Sequence, residues 1–237
     1  MTLTYLGPTI GAGDMIVPAA SEGSPPAPDY DPTSGPTFAN LWWAGAIEGV
    51  DDDATFATWE PSAGTDDLVD TEFSGAGIYR ADGWIGTDAP YVDFQSNSAV
   101  FGAAASMPAA PTFAWVMYAP SSNWAIADIN LAGTPKLLIG RDAGNVVVSA
   151  DGGSNVLAAA ATAPTLCVAH MNGGSSKLRV NGDETTGNTG TFDYAAPFIV
   201  LNWLFGLVGV YNGDLTADEG FASWEAATAA HYGITLA

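Results

Sequence analysis

The chain has 237 residues, 48% of them hydrophobic and 11% aromatic, which is enough to fill the core of one large β-domain with an extension and excludes global disorder. Lys and Arg number 5 against 26 Asp and Glu, a formal net charge of −21. Such a surface repels phosphate backbones, and with no basic stripe or tail it excludes direct nucleic-acid binding; a surface adapted to salty water is its plainest reading. The single cysteine, Cys167, excludes an intrachain disulfide, and no apolar run reaches the roughly 18–20 residues that cross a bilayer.

In chain order, residues 1–37 are rich in Pro, Gly and Ser, as in GPTIGAGDMIVPAASEGSPPAPDYDPTSGPT. Proline removes backbone donors and favours extended chain, so this stretch is neither a helix nor an inner strand but a disordered tail or, the reading preferred, an extended arm. Ile10, Met15, Ile16 and Val17 are out of place in a purely solvating linker and are the candidate anchoring contact with a neighbouring subunit. No basic segment followed by an apolar one opens the chain, so no signal peptide is expected.

The globular domain is expected over residues 38–237, opening at Phe38-Ala39-Asn40-Leu41-Trp42-Trp43. Trp59-Glu60-Pro61-Ser62-Ala63-Gly64, Gly83-Trp84-Ile85-Gly86 and Val92-Asp93-Phe94 follow. Strand candidates then run Phe113 to Tyr118, Trp124 to Asn130, Lys136 to Gly140 and Asn145 to Ala150, separated by Gly-, Asp- and Pro-rich turns. Leu166 to Met171 and Lys177 to Val180 read as paired strands around Asn172-Gly173-Gly174, with another tight turn at Asn181-Gly182. Phe198 to Leu201 and Gly206 to Tyr211 are further strands. A helix is expected from an N-cap at Thr216, with Glu219 completing a capping box, through Trp224 to a C-cap near Gly233.

The order of these motifs resembles concanavalin A-like (laminin-G-like) lectin/glucanase domains of the kind found in bacterial surface proteins and bacteriophage virion proteins. The opening matches on LWWAGAIEGV and on Trp59 to Gly64, and the ending on the Asn181-Gly182 turn, on VYNGDLTADE and on the terminal Tyr232-Gly233-Ile234. The acidic residue usual after the first Trp is replaced at Trp42-Trp43-Ala44. The resemblance implies an all-β, antiparallel jelly-roll β-sandwich with a short C-terminal helix, preceded here by the extended arm.

Glycan-hydrolysing members of such folds use a Glu-x-Asp-x-x-Glu strand, which sets two carboxylates on one face. This chain has no such strand, so no enzymatic activity is expected. Cys167 and His170 stand three apart on one strand and so point to opposite faces, which argues against a thiol–imidazole dyad, and His231 suits a helix C-terminus. No cofactor is required by any motif. Ca2+ is the candidate ion, because jelly-roll lectins hold it through loop oxygens, with Asp51, Asp52 and Asp53 foremost as ligands and Asp66, Asp67 and Asp82 behind them. For sugar, Trp84 beside Asp82 and Trp124 beside Asn123 are the aromatic platforms with polar neighbours. The expected function is a non-enzymatic virion protein of a bacteriophage, a decoration, fibre or tail-associated subunit. It is anchored by its arm to other virion proteins, self-associating, and placed on the particle exterior. The alternative is a carbohydrate-binding adhesin module that recognises host glycans, and neither reading involves membrane insertion.

Overall fold

The structure is a computed structural model, and it describes residues 30–70, 77–84, 87–94, 99–102, 110–118, 124–128, 138–142, 145–150, 156–160, 164–191, 198–201 and 204–237. The strands in chain order are β1 (Asn40–Trp43), β2 (Thr55–Phe56), β3 (Thr58–Trp59), β4 (Leu68–Asp70), β5 (Gly77–Arg80) and β6 (Tyr91–Asp93). They continue as β7 (Ala99–Gly102), β8 (Pro111–Tyr118), β9 (Trp124–Asp128), β10 (Leu138–Asp142), β11 (Asn145–Ser149) and β12 (Leu157–Ala160). The last are β13 (Thr165–His170), β14 (Ser176–Val180), β15 (Asp183–Gly187), β16 (Phe198–Leu201) and β17 (Leu204–Asn212), followed by one helix, α1 (Phe221–His231).

These strands form two antiparallel sheets. The first runs β15-β14-β13-β8-β17-β6-β5-β2, with β1 also paired to β17, and the second runs β12-β11-β10-β9-β16-β7-β4-β3. The sheets meet through one apolar layer: Trp42, Phe113, Trp115, Cys167 and Phe205 from the first, and Trp59, Leu68, Ile139, Val146 and Val148 from the second. A second layer lies on the other side of the first sheet. There Leu41, Ala114, Val116, Leu166, Val168 and Leu207 pack with Leu215, Phe221, Trp224, Ala229 and Tyr232 of the C-terminal segment.

This two-sided burial explains why β8, β13 and β17 read as continuous apolar runs rather than alternating ones. Along β8 the large residues Phe113, Trp115 and Met117 go to the inter-sheet layer, whereas Ala114 and Val116 go to the helix side. Small residues on that side let the helix segment approach. A Cβ added at Gly206 would lie 2.2 Å from the Tyr232 ring, so β17 has no room for a side chain there. A Cβ at Gly64 would lie 2.2 Å from Asn40 Oδ1, and Gly64 has φ +94. Asn40 in turn accepts from the N–H groups of Thr65 (3.1 Å) and Asp66 (3.2 Å). The Trp59 to Gly64 motif is thus a core tryptophan and a turn wrapped on β1.

The C-terminal end differs from the expected helix. Asp214, not Thr216, acts as the first cap: its Oδ1 accepts from the N–H (3.0 Å) and the hydroxyl (2.7 Å) of Thr216, which closes a 3-10 turn over Leu215–Ala217. Asp218 Oδ1 then accepts from Gly220 N–H at 2.8 Å, and α1 starts only at Phe221. The N-cap of α1, Gly220, has no side-chain partner of its own for the helix, and two aspartate-closed turns fill the stretch where the longer helix was expected. Its far end is as expected: Gly233 has φ +64, Gly233 N–H bonds to Ala230 O (3.3 Å) and Ile234 N–H to Ala229 O (2.8 Å), a Schellman motif. Among the described residues no helix is long and apolar enough to cross a membrane.

Candidate functional site

Each sequence candidate has a definite place or lies outside the described residues. Trp84 is 1% exposed, and its Nε1–H donates to Tyr232 O at 3.1 Å while its ring packs edge-on to Tyr232 (5.1 Å) and Tyr91 (5.9 Å). It offers no ring face to a sugar, which corrects the expectation of a platform there. Asp82 beside it is exposed, in a turn with Gly83 at φ +86. Trp124 opens β9 and pairs with Arg141, which pairs on its other side with Val146. The side chain of Trp124 lies outside what the structure describes. Asn123 and the arm residues Ile10, Met15, Ile16 and Val17 lie outside the described residues.

The Asp51–Asp53 run fastens a loop instead of gathering oxygens around an ion. Asp53, at φ 67, is ion-paired with Arg80, and Asp52 Oδ1 accepts from Ala81 N–H at 3.0 Å. The backbone carbonyl of Asp51 accepts from Ala54 N–H at 3.0 Å. Asp66 is likewise used, with its Oδ2 accepting from Asn40 Nδ2 at 2.9 Å. Among the described residues no three His, Cys, Asp or Glu side chains come together as a metal site, so the expected Ca2+ ligand set is not assembled there.

A cluster of titratable side chains stands at one end of the first sheet. Cross-strand pairing sets Thr186, Lys177, His170, Thr112 and Tyr211 in a single row over β15, β14, β13, β8 and β17. The turn after β17 closes on this row. Lys177 Nζ lies 2.6 Å from Asp214 Oδ2 and donates to Thr216 Oγ1 at 3.0 Å. Thr112 Oγ1 donates to Gly213 O and accepts from Leu215 N–H at 3.2 Å. Its one proton being spent, the contact at 3.2 Å to His170 Nδ1 takes its hydrogen from the ring nitrogen.

Burial alone would raise the Asp214 carboxyl, but hydrogen bonds from Lys177 and Thr216 and the nearby positive charge hold it below its usual value. The same pair raises Lys177. With Thr112 fully buried and His170 4% exposed, these groups brace the turn against the sheet. Cys167 faces the other side of the strand, in the inter-sheet core, where burial pushes its thiol well up.

Two arrangements escaped the sequence reading. Arg179 Nε and Nη2 donate to Glu225 Oε1 (2.6 Å) and Oε2 (3.0 Å), a two-pronged pair that ties α1 to β14. Tyr30, within the expected arm, packs on the end of α1. Its hydroxyl lies 2.8 Å from Thr228 Oγ1, its ring stacks on His231 at 4.3 Å and 20°, and Trp43 meets it edge-on at 5.5 Å. Burial raises the Tyr30 phenol and pushes His231 down to about 4. The only signal for this clasp was an aromatic residue standing alone among prolines and acids.

Two antiparallel sheets face to face, with a helix over one of them, define a β-sandwich protein. No family model matches the chain, and no curated protein matches it. Among solved structures, it is similar to the binding domain of botulinum neurotoxin serotype D, at 7% identity and a TM-score of 0.52, over 80% of this chain and 51% of that one. The chain therefore spans about half the length of that toxin domain. Domain 4 of AbnA, an extracellular GH43 arabinanase from Geobacillus stearothermophilus solved with arabinotriose, aligns at 17% identity and a TM-score of 0.49, over 76% of this chain and 94% of that one. Trypanosoma rangeli sialidase aligns at 13% identity and 0.48, over 89% and 35%. At such identities the likeness concerns the fold alone.

Proposed function

We propose that the chain is a non-enzymatic carbohydrate-binding module, a lectin-like jelly roll held on a larger assembly by its N-terminal segment. The observation that carries this reading is the β-sandwich shared with a toxin domain whose role is binding, at a TM-score of 0.52. Residue chemistry supports it. Asp53, Asp66, Asp214, Asp218 and Glu225 are engaged by Arg80, Asn40, Lys177, Tyr211 and Arg179, so these five carboxylates brace the fold. Because α1 covers the outer face of β8, β13 and β17, we place the sugar at the loops. There Asp82, in its exposed turn, is the sequence candidate that remains in reach. The setting we infer is the exterior of a bacteriophage particle, and its support is the order of an arm and then a lectin-like domain, together with an acidic surface that keeps arrayed copies apart.

A glycan array followed by calorimetric titration of the best hit tests the binding role. The D82A variant is expected to bind at least about tenfold more weakly, the scale of one lost charged hydrogen bond, with unchanged thermal unfolding. An array without hits, or full affinity in D82A, would count decisively against the reading.

A further inference from the structure

We propose that Asn212-Gly213 is a self-modifying site, where the chain closes a succinimide ring and opens it to isoaspartate, loosening the turn that braces the C-terminal segment. The chain has three Asn-Gly pairs, Asn172-Gly173, Asn181-Gly182 and Asn212-Gly213, and a glycine leaves its own backbone nitrogen unshielded by any side chain. The fold treats the three differently. Asn181 is clamped: its Oδ1 accepts from Leu166 N–H (2.8 Å), its Nδ2 donates to Pro164 O (3.3 Å) and its own N–H donates to Leu166 O (2.9 Å). A Cβ on Gly182 would lie 2.9 Å from Ala237 N, so that peptide has no room to turn. Asn172 has an exposed side chain, but its backbone is held on both sides. Its N–H donates to Ser176 Oγ (2.8 Å) and its carbonyl accepts from Ser175 N–H (2.9 Å). Asn212 is the exposed last residue of β17. Among the described residues neither its side chain nor the Gly213 N–H has a hydrogen-bond partner, and a Cβ on Gly213 would meet nothing within 4 Å.

The chemistry needs only water. The Gly213 nitrogen gives its proton to hydroxide and attacks Asn212 Cγ; the N–Cγ bond forms, the Cγ–Nδ2 bond breaks, and ammonia leaves with a proton from water. A water molecule then opens the ring. Breaking the N–Cγ bond yields aspartate, whereas breaking the bond from nitrogen to the Asn212 main-chain carbonyl yields isoaspartate. The net change is one water taken up and one ammonia released. Isoaspartate lengthens the main chain by one carbon just before Gly213, whose carbonyl accepts from Thr112 Oγ1, which itself accepts from Leu215 N–H at 3.2 Å. Asp214, the next residue, holds Lys177 Nζ at 2.6 Å. These contacts therefore shift together, and the new carboxylate adds a like charge beside Asp214.

The test is to age the full chain in mildly alkaline buffer and digest it. Mass spectrometry reads the gain of one mass unit at each pair, and an isoaspartyl methyltransferase labels the isoaspartate. Asn212 is expected to convert fastest and Asn181 at least about tenfold more slowly, the rate equivalent of one hydrogen bond that must break first. In urea, where no fold protects any of the three, their rates converge. N212Q, which would have to close a larger and slower ring, abolishes the gain at that peptide. The isoaspartyl fraction, separated by ion exchange, unfolds at a lower urea concentration than the fresh chain, whereas N212D stays close to it. Asn172 or Asn181 keeping pace with Asn212 in the folded chain overturns the proposal, as does the same order of rates in urea. An isoaspartyl fraction as stable as the fresh chain overturns the loosening of the turn.

Discussion

His231 sits at the C-terminal end of α1, where a cation would suit the helix dipole, yet its ring is stacked on Tyr30 and half-buried. Burial holds the imidazole at about 4 against its ordinary 6.5. The unfolded chain therefore takes up a proton between those values and the folded one does not, so stability falls as pH drops from 6.5 to 4. Asp214, whose pKa is lowered from 3.8, adds its own loss only at lower pH, outside that window. Urea unfolding at a series of pH values is expected to show this slope in the native chain and a flatter one in H231Q. Equal slopes would mean that the imidazole is free of the stack.

The same scale shows where sequence reading stops. Trp84 stood in a polar loop and read as exposed; its burial depends on Tyr232, 148 positions away. Tyr30 and its partner Thr228 are 198 positions apart. Gly233 and Asn181-Gly182 were legible because a left-handed residue closes its own turn with neighbours in sequence.

Among the elements, β14 has the clearest division of labour. Leu178 and Val180 enter the inter-sheet core, while Lys177 and Arg179 alternate to the helix side. One hooks the turn through Asp214 and the other hooks α1 through Glu225. Two of the chain's 5 basic residues are thus spent on one strand to hold the C-terminal segment. E225A strands the Arg179 charge and is expected to cost about 3 kcal/mol in unfolding free energy, whereas R179M/E225L, which removes both charges, is close to neutral. Guanidinium denaturation measures both, and a loss under about 0.5 kcal/mol in E225A would show the pair to be a bystander. The strands themselves were legible from apolar runs and turn residues, and so was a helix near Trp224. The helix start was not, because Asp214 takes the Thr216 N–H that Glu219 would accept in a capping box. Nor could the runs tell which strands are covered on both faces, since that depends on where α1 lies.

For the whole molecule, the packed body includes Tyr30, ahead of the Phe38 boundary read from composition, so the proposed anchoring segment is the stretch before it. If the proposed particle setting holds, deleting residues 1–29 is expected to abolish incorporation into that particle while leaving the melting temperature of the remainder within about 2 °C, since Tyr30 and its contacts are kept. Incorporation that survives the deletion would remove the anchoring role from Ile10, Met15, Ile16 and Val17. That a β-sandwich carries the domain was legible in the order of motifs. The covering of the first sheet by α1 was not, because it is a property of a sheet and a helix together.

Tyr30 also determines how the molecule bears a load. Tension applied through the N-terminal segment enters at the stacked ring and the Thr228 hydroxyl, not at a sheet edge. It passes along α1 to the Arg179–Glu225 pair and only then into β14. The helix is thus placed as the mechanical fuse of the domain, able to give way while the two sheets stay shut.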